Sequence, residues 1–486
     1  MNRISAIAHD LAGLWIMFSG TFVLPLAWSL AVEDGIHMSF VIAGAASLVV
    51  GLMLRLITRH SKRELLPREN GLLVVVGLFS LAALAAVPFL LALPAMSVTD
   101  AFFEASAGLT TTGATVITGL EYIPQSLNIW RHAMQWYGGM GIIVLAVAIL
   151  PVLGVGGMQL FKAETPGPMK DGRLTPRVTQ TARHLWLLYA LLTALCVVLL
   201  RLAGMTWFEA VSHAFSALSL GGFSTRDAGI ESFDLIGVEV VLGIFMMIAV
   251  TNFATHFTAL RQRSVKAYLN DSEAYASWLL IIASGFILAY YLYAHEHLYP
   301  DFWVALRHAL FGAIALGTSS GYGSTDYGIW PIFGGMWILL LGCVASSAGS
   351  TGGGIKMIRA LILLKQTRRE LARIVHPKQV KPLAINGQPI PTKVIMAVLG
   401  FMLLYGVTIT VLIFVMLATG MDFMSAVTGV ISIVNNIGPA LGLLGPSGNY
   451  AQLSDFQTWV MAVAMIAGRL ELLTFAVIFT AAFWRR

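Results

Sequence analysis

The chain has 486 residues, 57% of them apolar and only 11% charged, with a formal charge of +6. Soluble domains carry about 25% charged residues. The composition therefore excludes an ordinary soluble protein and makes lipid the main solvent. The two cysteines, Cys196 and Cys343, lie in separate apolar runs and are expected to be free, packed thiols without a redox or metal role. Residues Met1 to Gly20 carry His9 and Asp10 and no small-residue cleavage pattern, so they do not read as a signal peptide.

Backbone polar groups in lipid must be satisfied internally, so long apolar runs read as helices that need roughly 20 residues to cross. In chain order, spans are expected at 11–32, 39–58, 71–93, 128–151, 183–204, 235–259, 275–294, 329–365, 394–419 and 457–483. Apolar stretches near 100–112, 208–221, 304–320 and 423–437 are too short to cross and are expected to be re-entrant. Ten spans put both termini on one side. Of the 30 Lys and Arg, all but Arg131, Arg201, Arg226, Arg307 and Arg469 fall on that side, among them Arg55, Arg59, Lys162, Arg261, Arg368 and Arg486. Basic loops face the cytoplasm, so both termini are expected there, in a cytoplasmic (inner) membrane. The re-entrant stretches then open outward. Asp100, Glu104, Asp227, Asp301, Asp326 and Asp422 lie on that outer side, where negative potential gathers cations.

After the first two spans, the pattern of span, short stretch and span recurs four times. The short stretches align from Ala101, Ala210, Ala309 and Ala426, each twelve residues before a glycine: Gly113, Gly222, Gly321 and Gly438. A small polar residue stands three positions before each glycine, namely Thr110, Ser219, Thr318 and Asn435. Units of this size are domain-like repeats. The expected division is 1–68 for two leading helices, then repeats at 69–160, 161–262, 263–376 and 377–486. Twelve residues of helix reach only about 18 Å into the membrane. The chain must then return through non-helical backbone, which survives at that depth only beside a water-filled cavity or buried in protein. Four such returns meeting at one axis would stack carbonyl oxygens in rings, which can replace the hydration shell of a cation. The expected lining is Thr111, Thr112 and Gly113; Leu220, Gly221 and Gly222; Ser319, Ser320 and Gly321; and Asn436, Ile437 and Gly438.

The span at 329–365 is interrupted. Trp330 to Cys343 is followed by Ala345-Ser-Ser-Ala-Gly-Ser-Thr-Gly-Gly-Gly354 before an apolar run resumes at Ile355. Fourteen helical residues cover about 21 Å of a roughly 30 Å hydrocarbon core. The glycine-rich stretch, including Gly349, Ser350, Thr351, Gly352, Gly353 and Gly354, is therefore expected inside the membrane as a loop that blocks the inner half of a pore. It is not a phosphate-binding loop, because Ile355 and Lys356-Met357 replace the required Gly-Lys-Ser/Thr. Arg469 lies deep in the last span, where a charge is costly and faces a cavity or partner. In a pore it would oppose cation passage. His132, His184 and His256 are expected to form interfacial hydrogen bonds, and most of the 12 tryptophans to mark membrane interfaces.

The motifs Thr111-Thr112-Gly113-Ala114-Thr115, Leu220-Gly221-Gly222-Phe223-Ser224, Ser319-Ser320-Gly321-Tyr322-Gly323 and Asn436-Ile437-Gly438-Pro439-Ala440 carry a resemblance over essentially the whole chain. The sequence resembles the Trk/Ktr/HKT superfamily of potassium transporters, specifically its Trk-type membrane subunits. The resemblance implies an all-α, polytopic membrane fold: two leading helices, then four helix, pore-helix, helix repeats arranged pseudo-four-fold around one pore. It implies potassium as the transported ion, because sodium-favouring plant relatives carry serine where this chain has Gly113. It also implies an intramembrane loop at the broken helix, contacted by a pore-facing arginine. In quaternary terms it implies a homodimer gated by a cytosolic nucleotide-binding regulatory subunit. Membrane lipid is the other expected partner; nucleic acid is not, and no organic cofactor is expected. The flanking filter residues differ among the repeats, so strict four-fold symmetry is not expected. Channel-like, potential-driven uptake is the first reading, and symport coupled to protons or sodium is the alternative. Four repeats of one orientation disfavour the inverted-repeat transporter class, and no matched nucleophile and base point to an enzyme.

Overall fold

The computed structural model describes residues 3–61, 65–148, 176–379 and 382–484. Helix dominates. The strands Ala384–Ile385 and Gln388–Pro389 pair as a small antiparallel hairpin. The leading pair consists of Arg3–Ser19, continued through a 3-10 turn into Val23–Val32, and the returning helix His37–Ile57. They cross closely because Gly51 lacks a side chain: a Cβ there would stand 2.9 Å from Ile16 Cγ1.

The pair is fastened to the helices of the first repeat. The Trp15 indole donates to Ser80 Oγ at 2.9 Å. Phe22 stacks on Trp130 with 4.5 Å between ring centroids, and Trp130 Nε1 donates to the Ala85 carbonyl at 3.1 Å. Trp130 is thus fully buried, unlike the interfacial position expected of most tryptophans here. Its flat ring fills the space between the leading helices and the first repeat.

Four units of long helix, short helix and return helix make up most of the remaining described residues. The long outer helices are Pro67–Ala92, Pro176–Leu202, Ser272–Tyr290 and Thr392–Ala418. The short helices are Val98–Leu109, Trp207–Ser219, Phe302–Gly317 and Phe423–Val434. At 12, 13, 16 and 12 residues, none is long enough to span a roughly 30 Å core at about 1.5 Å per residue, as their apolar length implied. Six helices of the described residues are long and apolar enough to cross a membrane, so the protein is a multi-pass membrane protein.

The inner helices depart from simple spans. Gln125–Ala148 is continuous, with Asn128, Arg131, His132 and Gln135 buried on its inward face. The expected span at 235–259 is two helices, Ile236–Ala249 and Phe253–Gln262, bent by 93°. Asn252 explains the break: its side chain accepts from Ala254 N at 2.9 Å and caps a new helix inside an apolar run. The expected interruption in the third repeat lies between Ile332–Val344 and Met357–Val375. The last expected span stops at Arg469 and resumes as Leu472–Val477, because Glu471 takes a left-handed conformation with φ 58°. Residues 149–151 of the expected span at 128–151 lie outside the described residues.

Apolar packing gathers the leading helices with repeats one and four around Phe103, Trp130 and Met465. Repeats two and three pack around Tyr189, Phe253 and Ile338. Trp130→Ala should lower stability by about 3 kcal/mol, read as a lower melting temperature of the detergent-solubilised protein.

Candidate functional site

Each short helix starts on a polar cap. Ser97 Oγ accepts from Asp100 N, Thr206 Oγ1 from Glu209 N, Asp301 Oδ1 from Trp303 N and Asp422 Oδ2 from Ser425 N. These caps satisfy N–H groups that would otherwise end unpaired. The helices then run inward to buried ends, and the chain leaves each by the same turn. Thr112, Gly221, Ser320 and Ile437 each donate a backbone N–H to a carbonyl five residues back, at 2.8 to 2.9 Å.

The backbone angles repeat as well. Thr111, Leu220, Ser319 and Asn436 are left-handed, at φ 52°, 55°, 63° and 54°. Two residues on, Gly113, Gly222, Gly321 and Gly438 have φ 79°, 74°, 81° and 98°. A left-handed threonine or leucine is strained, and here it recurs in register in four segments.

The four segments close on one another. A Cβ on Gly113 would overlap the Gly221 carbonyl oxygen, one on Gly222 the Ser320 oxygen, one on Gly321 the Ile437 oxygen, and one on Gly438 the Thr112 oxygen. Each glycine thus abuts the carbonyl preceding the next repeat's glycine, in the cycle one, two, three, four, one. Both the angle and the space demand glycine at these positions. The structure therefore brings all twelve sequence-singled residues of the four segments into one continuous cluster, nearly all of them buried.

The ring is chemically unequal. Gln135 Nε2 donates to the Gly221 carbonyl at 2.7 Å, and Tyr450 Oη and Ser432 Oγ donate to the Gly438 carbonyl at 2.7 and 2.9 Å. Asn436 Nδ2 donates to Thr112 Oγ1 at 2.8 Å, linking the fourth segment to the first. Tyr322 Oη donates to the Phe223 carbonyl at 3.0 Å, linking the third to the second.

Behind the first two segments lies a buried ion pair that the sequence alone did not single out. Arg131 Nε donates to Glu104 Oε1 at 2.7 Å, with both side chains fully buried. Glu104 Oε2 accepts from Val116 N at 3.1 Å, and Arg131 Nη1 donates to the Ser224 carbonyl at 3.2 Å. The pair thus bridges segment one to segment two, and the guanidinium also lies 4.2 Å from the Phe223 ring centroid. His132, expected at an interface, is instead buried against the same segment, its ring nitrogens 2.7 Å from the Asn128 carbonyl and 3.2 Å from that of Phe223. An acid inside one re-entrant stretch and a base at the start of the next span were the available signal.

The glycine-rich stretch of repeat three lies directly beneath the ring. Thr351 Oγ1 donates to the Leu218 carbonyl at 3.0 Å, and Gly353 N donates to Ser319 Oγ at 2.8 Å. A Cβ on Gly353 would overlap the Asn435 carbonyl oxygen. The stretch thus touches the inner ends of the second, third and fourth short helices. Gly349 and Gly354 have φ 75° and 82°, and Gly349 packs on Asn252 at the break of inner helix two. Ser350, Thr351, Gly352 and Gly353 complete a buried turn, with Lys356 Nζ donating to the Gly352 carbonyl. From the fourth repeat, Arg469 Nη1 donates to the Thr351 carbonyl at 2.9 Å. Glu471 does not pair with it; that carboxylate accepts from Arg359 Nη2 at 2.6 Å. Cys196 and Cys343 are free and buried, and the Cys343 carbonyl accepts from Ile355 N at 2.7 Å, where the loop rejoins helix.

A multi-pass helical protein whose four short-helix segments meet in one ring above a buried loop is built as a membrane transporter. The comparisons place it further. The model of the TrkH family, described as cation transport proteins, matches residues 36–486. The chain belongs to that family, which consists of transporters and not enzymes. It is 40% identical over 481 residues to the Trk system potassium uptake protein TrkH of Salmonella typhimurium, covering 99% of each chain. It is 42% identical to the TrkH of Vibrio parahaemolyticus, over 97% of each, and 33% identical to the TrkG of Escherichia coli. Its fold matches the crystal structure of the potassium transporter TrkH from Vibrio parahaemolyticus with a TM-score of 0.91 at 38% identity, covering 100% of both chains.

Glu104→Ala leaves Arg131 buried and uncompensated, so it should destabilise the protein by about 3 to 5 kcal/mol. Glu104→Ala combined with Arg131→Met should recover much of that loss, measured by thermal unfolding in detergent.

Proposed function

We propose that the chain is a gated, potential-driven potassium uptake pore of the cytoplasmic membrane, with both termini in the cytoplasm. The observation that carries this reading is the closed cycle of glycine against carbonyl among the four segments. Backbone oxygens of residues 111–113, 220–222, 319–321 and 436–438 that scaffold side chains leave unbound then act as the selectivity filter, replacing the hydration shell of potassium in a pseudo-four-fold pore. The five-part division into a leading pair and four pore repeats follows from the same arrangement. Relatives that bear the name of potassium uptake proteins over nearly their full length support potassium as the cargo.

Gly349, Ser350, Thr351, Gly352, Gly353 and Gly354 form the gate, with Arg469 as its second element. The loop crosses under the ring and fills the route to the cytoplasm. Arg469 Nε and Nη2 have no hydrogen-bond partner among the described residues, and this buried cation would face the ion path. A permeating cation would meet that charge at close range in a weakly screened site. Opening therefore requires the loop and Arg469 to move apart. A cytosolic nucleotide-binding regulatory subunit would act through the basic helix Met357–Val375, which continues directly from the loop, and two copies of the chain would form the membrane unit.

A membrane potential supplies about 2.3 kcal/mol per charge per 100 mV. Rubidium should therefore enter proteoliposomes under potential alone, and a strict need for a sodium or proton gradient would establish coupled symport instead. Arg469→Ala should raise resting flux; unchanged flux at normal expression would remove the barrier role. Gly222→Ala should lower flux by at least about tenfold in a folded protein, because neither its backbone angle nor the neighbouring oxygen admits a methyl group.

A further inference from the structure

The cytoplasmic end of the outer helix of repeat three carries a buried acid with a special position. Glu273 lies in the first turn of Ser272–Tyr290, just after the cap residue Asp271, and is 2% exposed. Its Oε1 accepts from Ala348 N at 3.1 Å and from Ile358 N at 2.9 Å. These two N–H groups flank the intramembrane loop. Ala348 stands where the loop begins, and Ile358 lies in the first turn of Met357–Val375. One oxygen therefore ties both ends of the loop together.

The arrangement suits a carboxylate. Charge-assisted bonds to N–H groups are stronger than neutral ones, and the N-terminal end of a 19-residue helix favours an anion. The surrounding contacts keep Glu273 in place. Asp271 Oδ1 accepts from Glu273 N at 3.0 Å, and its Oδ2 accepts from Thr255 Oγ1 at 2.6 Å. Five residues along the same helix, Trp278 Nε1 donates to Thr251 Oγ1 at 3.0 Å, inside the break of inner helix two. The loop is also stitched to that break, with Ser347 N donating to the Val250 carbonyl and Phe253 N to that of Gly349. The end of this outer helix thus grips both broken inner helices that hold the loop.

We propose that Glu273 is a positioning residue that latches the intramembrane loop in its blocking conformation and couples it to Met357–Val375. Because Ala348 and Ile358 share one acceptor, a displacement of the helix draws the carboxylate from the loop as well. Loop and helix then release together instead of in sequence. The inference rests on the gate reading of the loop, and on no contact with the ring.

The test uses the full-length protein with Cys196→Ala, Cys343→Ala and Ser350→Cys, reconstituted in proteoliposomes. Two quantities are measured: rubidium flux, and the rate at which a membrane-impermeant thiol reagent on the cytoplasmic side modifies the introduced thiol. Glu273→Ala removes the shared acceptor and should raise both roughly tenfold, with the potassium-to-sodium ratio unchanged because the ring is untouched. Glu273→Gln keeps the shape and a neutral acceptor, and should raise both about twofold; it carries the test if the alanine variant fails to fold. A merely structural role would lower flux together with the melting temperature and leave the labelling rate of the folded fraction unchanged. Unchanged labelling in a folded variant overturns the latch. Raised labelling without raised flux upholds the latch and overturns the gate reading. Raised flux in Arg469→Ala with no effect of Glu273→Ala on flux or labelling upholds the gate and overturns the latch.

Discussion

The contact between each glycine and the carbonyl oxygen of the next repeat is the constraint around which the molecule is organised. Four such contacts leave no room for a side chain at Gly113, Gly222, Gly321 or Gly438. They can form only if four short helices end at the same depth and the chain leaves each by the same left-handed turn. The long outer helices and the caps at Ser97, Thr206, Asp301 and Asp422 set that depth. Irregular backbone at the middle of a membrane demands such over-determination, because lipid offers it no hydrogen bonds.

Strain in the segments is held by buried polar side chains behind them. The Glu104–Arg131 pair, Gln135, Tyr322 and Tyr450 each bind backbone in or just beyond a segment. The braces are unevenly shared: Arg131, Gln135 and Tyr322 hold segment two, Glu104 holds segment one and Tyr450 holds segment four. Such pairs are costly to bury and costlier to break, so the scaffold is rigid where the segments need it.

The inner side is built on the opposite principle. Three of the four inner helices are broken, at Asn252, between Val344 and Met357, and at Glu471. The break at Asn252 binds the loop through backbone bonds from Ser347 to Val250 and from Phe253 to Gly349, and the break at Glu471 reaches it through the Arg469 side chain. The loop is held largely by hydrogen bonds, to Ser319, Leu218, Arg469, Glu273 and the break at Asn252. A segment held by a few separable polar contacts is the kind that opens locally while the rest stays folded.

Much of this was legible in the sequence. Composition fixed the solvent, apolar run length separated crossing from re-entrant segments, and the alanine-to-glycine spacing found all four turns. The short apolar run before the Gly349–Gly354 stretch marked the interruption of that helix by length alone. These features are local or periodic, so a linear reading reaches them. Trp130, His132 and the Glu104–Arg131 pair were misjudged or missed because their roles depend on what packs against them from distant parts of the chain. The bend at Asn252 hid in an apolar run because capping competes with helix continuation only in a particular tertiary setting. The order in which the segments touch, and the convergence of three repeats on one loop, were decided by tertiary structure, because no spacing along a chain encodes which carbonyl will lie against which glycine.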